Sequence, residues 1–234
     1  MTGKFKRIGI IAAMDKETEG LKAAVENPQV ESFGGVDFVC GKIGDKEVIV
    51  AKSGIGKVFA AMCAQAMILK LSPDCIINTG IAGGLSRELK ILDCVVADGV
   101  VQHDMDTSPI GDPVGLISGI NLVKLPTDER ISKALIGAAK TCGIKCKKGT
   151  VATGDQFVAL DSQRNRIINL FGADCCEMEG GAVGQVCYVN KIPFGIIRTI
   201  SDNYDSDVSM DYPVFAEKAA DASIRLTLEF LKLI

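Results

Sequence analysis

The sequence predicts an α/β fold, a single-domain three-layer sandwich in which helices flank a mixed, largely parallel central sheet. Short apolar runs typical of buried strands alternate with segments of helical periodicity, which is the pattern of a sheet covered on both faces. No linker, repeat or low-complexity segment interrupts the chain, so one domain is predicted over residues 1–234. Apolar residues make up 47% and charged residues 24% of the chain, which is a globular composition.

The strands are predicted from short apolar runs bounded by turn-forming residues, and the first of them is RIGIIAA. The second and third are expected to pair around a turn at Gly44 and Asp45. In chain order, the strands are predicted at Arg7–Ala13, Val36–Cys40, Glu47–Ala51, Cys75–Thr79, Cys94–Ala97, Lys147–Ala152, Ala173–Cys176 and Phe194–Ile200.

The helices are predicted where apolar residues recur on one side of a helical turn, as Leu21, Ala24 and Val25 do in the first. Asp161 is expected to cap the fourth helix. Residues 103–127 are rich in Gly, Pro, Asp and Ser and predict a long loop, which is usually a functional feature. In chain order, the helices are predicted at Asp15–Val25, Val58–Leu71, Asp128–Thr141, Ser162–Phe171, Glu179–Asn190 and about Val214–Leu233.

Composition argues against several classes of partner. The net charge of −3 and the lack of a basic patch with interleaved aromatics argue against nucleic-acid binding. The apolar run from Ile8 to Ala13 is too short for a membrane span or a signal peptide. Nine scattered cysteines predict reduced thiols in a cytoplasmic protein. Because His103 is the only histidine and the acidic stretch after residue 201 lacks the EF-hand pattern, no metal site is predicted.

Polar and glycine-rich segments follow most of the predicted strands. In open α/β sheets, ligands bind outside the carboxyl ends of the strands, so these segments are expected to share one rim of the sheet. The segments are MDKE, KSGIGK, GIAGG, TGDQF, EME and SD.

Taken singly, each segment also has a structural interpretation. The GIG turn lacks the third glycine of a dinucleotide fingerprint and the spacing of a Walker loop. The GIAGG segment fits equally a turn that needs positive φ and a loop where a flat ligand approaches bare backbone. Glu177 and Glu179 suit a helix N-terminus, although burying both is costly without a partner. Asp202 suits an Asx turn or a general acid, and His103 with Asp104 suits a structural or a catalytic pair.

Six motifs in order give the chain a resemblance to a known family. GIIAAMDKE, KSGIGK, INTGIAGGL, TGDQF, EMEGGAVGQVC and RTISD resemble the bacterial 5′-methylthioadenosine/S-adenosylhomocysteine nucleosidases of the purine nucleoside phosphorylase/uridine phosphorylase superfamily. The resemblance covers nearly the whole chain. It implies hydrolysis of the N-glycosidic bond of 5′-methylthioadenosine and S-adenosylhomocysteine, which releases adenine and the thioribose product, with no metal or organic cofactor.

The resemblance implies a role for each carboxylate. Glu17 matches the residue that activates the attacking water. Glu179 matches the carboxylate that holds the ribose hydroxyls, and Met178 packs beside the sugar. Asp202 matches the acid that protonates the purine at N7, with Ser201 beside it.

The resemblance also implies the contacts to the base. Phe157 matches the ring that stacks on adenine, and Val158 matches a backbone contact to it. Ala82 and Gly83 line the base and the sugar. Further pocket positions are implied at Ile55, Arg198 and Met210.

The family works as a homodimer, and the resemblance places Thr107 and Ile110 near the partner's pocket. Ile81 stands where small polar residues are common in the family, and Met210 stands where an aromatic is expected. The preference among 5′-substituted adenosines is therefore left open. The alternatives are 5′-deoxyadenosine or aminodeoxyfutalosine as the substrate of a nucleosidase, a nucleoside phosphorylase of the same superfamily, and a catalytically silent nucleoside sensor.

Overall fold

The computed structural model describes residues 5–203 and 208–234, apart from the side chains of residues 208–211 and 213. Within this part the α/β class is confirmed, with ten strands in one mixed sheet and six helices. The strands are β1 (Arg7–Ala12), β2 (Glu26–Phe33), β3 (Val36–Ile43), β4 (Lys46–Lys52), β5 (Cys75–Gly84), β6 (Cys94–Gln102), β7 (Lys124–Pro126), β8 (Cys146–Thr153), β9 (Cys175–Glu177) and β10 (Phe194–Asp202). The helices are α1 (Asp15–Ala23), α2 (Lys57–Leu71), α3 (Glu129–Thr141), α4 (Asp161–Phe171), α5 (Gly180–Asn190) and α6 (Val208–Leu233).

The sheet combines an open half and a closed half. β1 lies between β4 and β5 and is parallel to both, and β3 and β2 continue antiparallel beyond β4. Beyond β5 the pairing closes on itself, because β5 pairs with both β10 and β9, and β6 and β8 connect those two strands. The sequence pattern does not predict this ring. It matters for function because it brings the ends of β5, β9 and β10 together.

Helices cover both faces of the sheet through two apolar cores. One core lies under α2 and α5 and includes Met67 and Val183. The other lies under α1, α3 and α6 and includes Leu21, Leu135 and Phe230. The sheet with helices packed on both of its faces gives the three layers that the sequence predicted. In the described ranges, none of the helices combines the length and the apolar character needed to span a bilayer.

The structure differs from the predicted elements at a few places. β2 was not predicted, because its residues are almost all exposed and show no apolar alternation. α4 begins at Asp161 itself with Leu160 in the N-cap position, so the expectation that Asp161 caps this helix is wrong. α6 begins at Val208, upstream of the predicted start. β5 extends through the GIAGG segment, because that segment pairs with β10 and β9.

Candidate active site

A cleft of about 650 Å³ lies where the ends of several strands meet. Seven residues that the sequence did not assign to the site also line it, namely Ala13, Met14, Ile81, Gln156, Cys176, Glu177 and Tyr212. The structure brings ten of the predicted site residues together around the cleft, namely Glu17, Ile55, Ala82, Gly83, Phe157, Val158, Met178, Glu179, Ser201 and Asp202.

Glu17 lies at the bottom of the cleft and is only 3% exposed. One oxygen, Oε2, accepts hydrogen bonds from the backbone N–H groups of Ala13 at 3.0 Å and Met14 at 2.9 Å, and Oε1 accepts one from Ile81 at 3.0 Å. Burial raises the pKa of Glu17 above its ordinary value, against the opposing effect of these donors and of Arg198. A carboxylate held in this way is well placed to take a proton.

Gly80 explains how β5 accommodates the Glu17 carboxylate. A Cβ atom at Gly80 would lie 2.6 Å from Glu17 Oε1, which is closer than real contacts allow. Gly83 plays the same part for Asp202, since a Cβ atom there would lie 3.0 Å from Asp202 Oδ2. The glycines of the GIAGG segment therefore make room for two carboxylates, a reason for glycine that neither interpretation of the segment had given.

Glu179 occupies the N-cap position of α5, directly after β9. Its Oε1 accepts a hydrogen bond of 2.9 Å from the backbone N–H of Gly56, in the turn before α2. Burial and the nearby Glu177 carboxylate raise the pKa of Glu179 to about 7, and Arg198 opposes this shift. Near neutral pH this side chain is therefore poised between its two charge states.

Glu177, at the wall of the cleft, forms a buried ion pair with Arg198 behind it, and both side chains are 2% exposed. Arg198 also donates to the backbone and side chain of Asn78. Glu177 accepts from Thr153 Oγ1 and from the backbone N–H groups at the start of α5. Glu177 thus has a structural role, which one interpretation of the EME segment expected. Arg198, predicted as a pocket position, supports the site from behind the cleft.

Asp202 ends β10 and is 4% exposed. The Ser201 hydroxyl lies 2.8 Å from Asp202 Oδ1 and 3.3 Å from the carbonyl oxygen of Ala82. This side chain and that of Glu17 are buried groups capable of acid–base chemistry in one cleft. Cys176 lies near them, but burial raises the pKa of its thiol to about 12, which makes it a poor nucleophile.

The mouth of the cleft is apolar. The ring of Phe157 is 54% exposed and meets the ring of Tyr212 edge-on, with centroids 5.4 Å apart. The Tyr212 hydroxyl lies 3.9 Å from the sulfur of Met14. The sequence prediction placed the expected aromatic position at Met210, whose side chain lies outside the described residues. Tyr212 is aromatic and lies two residues after Met210 in α6, and this is the sequence signal that could have identified it.

The remaining predicted residues lie away from this cleft. Thr107 donates a hydrogen bond of 2.8 Å to Asp112, and Ile110 is 82% exposed in a short 3-10 helix. Neither lines the cleft. In the described part of the chain, no group of three or more His, Cys, Asp or Glu side chains is arranged to hold a metal ion. Of the described residues that line the cleft, none is Lys or Arg.

Comparison with known proteins identifies the family. Residues 7–232 match the family model described as the phosphorylase superfamily. The 5′-methylthioadenosine/S-adenosylhomocysteine nucleosidase of Shewanella halifaxensis is 36% identical, over 97% of this chain and 99% of the relative. That of Shewanella loihica is also 36% identical, with the same coverage.

Solved structures agree with these relatives. The structure of futalosine hydrolase of Helicobacter pylori has a TM-score of 0.93 and 33% identity, over 98% of this chain and 99% of that chain. The structure of the 5′-methylthioadenosine/S-adenosylhomocysteine nucleosidase from Neisseria meningitidis in complex with methylthio-immucillin-A has a TM-score of 0.93 and 32% identity, over 98% and 100% of the two chains. The chain therefore belongs to the phosphorylase superfamily and, within it, to the 5′-methylthioadenosine/S-adenosylhomocysteine nucleosidases, a family of N-glycosyl hydrolases.

Proposed function

We propose that the chain hydrolyses 5′-methylthioadenosine and S-adenosylhomocysteine to adenine and the thioribose product, as part of methionine salvage in the cytoplasm. The observation that carries this proposal is the presence of three buried carboxylates, Glu17, Glu179 and Asp202, around one cleft with an apolar mouth. The curated relatives, which are named for these two substrates and cover 97% of the chain, support it.

Asp202 is the general acid in this proposal. Adenine is a poor leaving group until a ring nitrogen is protonated, so an acid must face N7 of the base. The Ser201 hydroxyl at 2.8 Å supports this role, because it restricts the orientation of the Asp202 carboxyl group. Proton transfer by a positioned side chain typically contributes ~10²–10⁴-fold to the rate.

Glu17 activates the attacking water. As the bond to adenine breaks, the sugar acquires oxocarbenium character, and a water must lose a proton as it adds. The three backbone donors to Glu17 fix its carboxylate, and the pKa raised by burial strengthens it as a base. Ile81 donates one of these bonds through its backbone, so its apolar side chain does not remove this support.

The other pocket residues bind the nucleoside. Glu179 accepts hydrogen bonds from the ribose hydroxyls, and Met178 packs on the sugar. Phe157 stacks on adenine, as its exposed ring at the mouth allows. The remaining contacts in this proposal are the backbone of Val158 to the base, Ala82 and Gly83 along the base and sugar, and Ile55 and Met210 toward the 5′ substituent.

The test replaces each acid–base group by its uncharged isostere. We expect Glu17→Gln and Asp202→Asn each to lower kcat for adenine release by ~10²–10⁴-fold while the circular dichroism spectrum stays unchanged. Lys148→Met, which removes an exposed ion pair with Glu129 away from the cleft, is the matched surface control. Near-normal turnover in either isosteric variant would exclude the assigned role.

A phosphorylase would give a different product. It needs cations around a phosphate ion, and no Lys or Arg is found among the described residues that line the cleft. The Glu17 carboxylate would also repel the anion. We expect turnover of 5′-methylthioadenosine that is independent of phosphate and yields the free sugar. Formation of a sugar 1-phosphate would decide for the phosphorylase.

A second candidate substrate is a futalosine-type nucleoside. The similarity to the Helicobacter pylori futalosine hydrolase, at 33% identity, favours testing it. A panel of 5′-methylthioadenosine, S-adenosylhomocysteine, 5′-deoxyadenosine and aminodeoxyfutalosine, ranked by kcat/KM, separates the candidates. The proposal expects the two thioether substrates to rank first.

We also propose that the chain acts as a homodimer, with Thr107 and Ile110 near the partner's cleft. Exposed apolar side chains on neighbouring helices support this, since large apolar patches mark interaction surfaces. We expect Val58→Asp to yield monomers in analytical ultracentrifugation, whereas Val30→Asp on the exposed edge strand β2 does not. Monomeric wild-type protein at assay concentration would contradict the dimer. The side chains of this patch are Val58, Phe59, Met62 and Leu69 of α2 and Tyr188 and Val189 of α5.

A further inference from the structure

Three segments at one side of the cleft are joined by a closed ring of hydrogen bonds. Lys57 Nζ lies 2.7 Å from Asp104 Oδ1. The backbone N–H of Asp155 donates to Asp104 Oδ2 at 2.9 Å, and the backbone N–H of Lys57 donates to Asp155 Oδ1 at 2.7 Å. We call these three residues the Lys57 ring. It links the start of α2, the end of β6 and the end of β8.

The Lys57 ring is more protected than the other ion pairs at the surface. The Lys57 and Asp104 side chains are 20% and 17% exposed. Lys57 Nζ also lies 3.3 Å from Gln102 Oε1, and Gln102 Nε2 donates to Gln185 of α5 at 2.6 Å. A charge-assisted bond at such short distances and partial burial is stronger than an exposed ion pair.

The Lys57 ring adjoins two walls of the cleft. Gly56 precedes Lys57 and donates its backbone N–H to Glu179 at 2.9 Å. Its φ of +99° and the close approach of Asp155, 3.0 Å from a Cβ atom placed there, require glycine at this position. Phe157 follows Asp155 by two residues and stands at the mouth. Any movement of the Lys57 ring therefore reaches both Glu179 and Phe157.

We propose that the Lys57 ring is a positioning device that holds the Gly56 amide on Glu179. It thereby sets the separation between the Glu179 carboxylate, which binds the sugar, and the aromatic side chain of Phe157, which stacks on the base. This inference rests on the proposed function, because it assumes that Glu179 binds the ribose. Lys57 and Asp104 do not line the cleft, so they act through Gly56 and Asp155. A displacement of about 1 Å at a reacting centre is enough to cost ~10²-fold in rate.

The first test opens the ring from either side. We expect Lys57→Met and Asp104→Ala each to lower kcat/KM for 5′-methylthioadenosine by about 10- to 100-fold. Asp104→Asn keeps an acceptor for the Asp155 N–H, so it should lower kcat/KM by less than Asp104→Ala does. Lys148→Met serves as the control, because its ion pair with Glu129 is equally short at 2.6 Å but lies away from the cleft.

The pH profile distinguishes positioning from a general loss of structure. The Gly56 N–H lowers the pKa of Glu179, and Glu177, Glu17 and Arg198 are the charged groups that act on it directly. Loss of the Gly56 bond should therefore move the rise of kcat/KM to higher pH in both Lys57→Met and Asp104→Ala. A direct charge effect would move the two variants in opposite directions, since one loses a cation and the other an anion. Opposite shifts, or no shift, would overturn the proposal.

A binding measurement separates this proposal from the proposed function. Wild-type protein that releases no adenine without phosphate would reject the proposed function and would say nothing against the ring. If the wild type is active, calorimetry with a non-hydrolysable nucleoside analogue should show affinity about 10-fold lower in Lys57→Met. Affinity for adenine alone should fall less, because adenine meets only Phe157 of the two groups that the Lys57 ring positions and makes no contact with Glu179. Equal loss for both ligands would contradict positioning of the sugar site.

Discussion

The bottom and the mouth of the cleft are built in opposite ways. At the bottom, each acidic group is at most 7% exposed and has defined partners in the protein. At the mouth, two side chains are 54% exposed and make few polar contacts. We call the first set, together with the Arg198 cation that supports it from behind the cleft, the floor, which consists of Glu17, Glu177, Glu179, Arg198 and Asp202. We call the second set the rim, which consists of Ile55, Phe157 and Tyr212.

The difference separates the reaction from the choice of substrate. Charge that develops in a transition state is stabilised best by groups that are fixed beforehand, and the floor has this property. Burying several carboxylates is unfavourable for folding. The floor should therefore lower the stability of the folded protein, although the same groups suit the reaction. The rim contributes apolar area that adapts to a ligand, so changes there should alter affinity with little effect on folding.

The largest effect is expected for the cation of the floor. Arg198→Met leaves the Glu177 carboxylate, whose side chain is 2% exposed, without its cationic partner. Breaking a buried pair from one side costs about 3–5 kcal/mol of unfolding free energy. We expect a loss of this size in urea denaturation, together with loss of adenine release.

The matched control for Arg198→Met is Arg130→Met, which breaks the more exposed pair with Asp128, where the Arg130 side chain is 48% exposed. Its cost should be about 1 kcal/mol or less. The double variant Arg198→Met/Glu177→Gln should recover part of the lost stability, because no buried charge remains unpaired. Equal costs at positions 198 and 130 would mean that the floor is no more tightly coupled than the surface.

An intermediate effect of opposite sign is expected at Glu179. Its folded pKa of about 7 lies above the ordinary value of 4.5, so the folded state is destabilised as pH rises from about 4.5 through about 7. Glu179→Gln removes this penalty and keeps an acceptor for the Gly56 N–H. We expect the variant to be more stable than the wild type by about 1–3 kcal/mol at pH 8 and by much less at pH 5. Its nucleosidase activity should be lost.

Thermal unfolding at the two pH values measures this difference. Glu129→Gln, at an exposed ion pair of α3, is the control and should show no gain at pH 8. A Glu179→Gln variant that is less stable than the wild type at pH 8 would show that the carboxylate contributes favourably to folding. The floor would then not be the strained part of the molecule.

The sequence located three residues of the floor at strand ends, whereas it did not predict how the strands around them pair. Glu17 and Asp202 each follow a strongly apolar run and Glu179 follows a short strand, and that local pattern is visible without a structure. The closed ring of strands is not visible, because pairing of β5 with β9 and β10 depends on contacts between residues far apart in the chain. β2 escaped prediction for a different reason, since an exposed edge strand has no buried face to mark it.

Residues that act through others were also missed. Glu177 was recognised as an acidic residue at a helix N-terminus, but its pairing with Arg198 joins β9 to β10 and cannot be inferred from spacing. Lys57, Asp104 and Asp155 lie in three separate segments and were not assigned to the site. Tyr212 was not assigned to the site, because the expected aromatic position was placed at Met210, whose side chain lies outside the described residues.

The smallest effect on folding is expected at the rim. Phe157→Ala removes a ring that is 54% exposed, so the unfolding free energy should change by about 0.5 kcal/mol or less. Stacking of a base on an aromatic ring is worth about 1–3 kcal/mol, so KM should rise by about 10-fold or more while kcat changes less. Phe157→Tyr keeps the ring and should behave like the wild type in both measurements. A loss of kcat without a change in KM would place Phe157 with the floor, and the division between a reactive floor and a selective rim would fail at this residue.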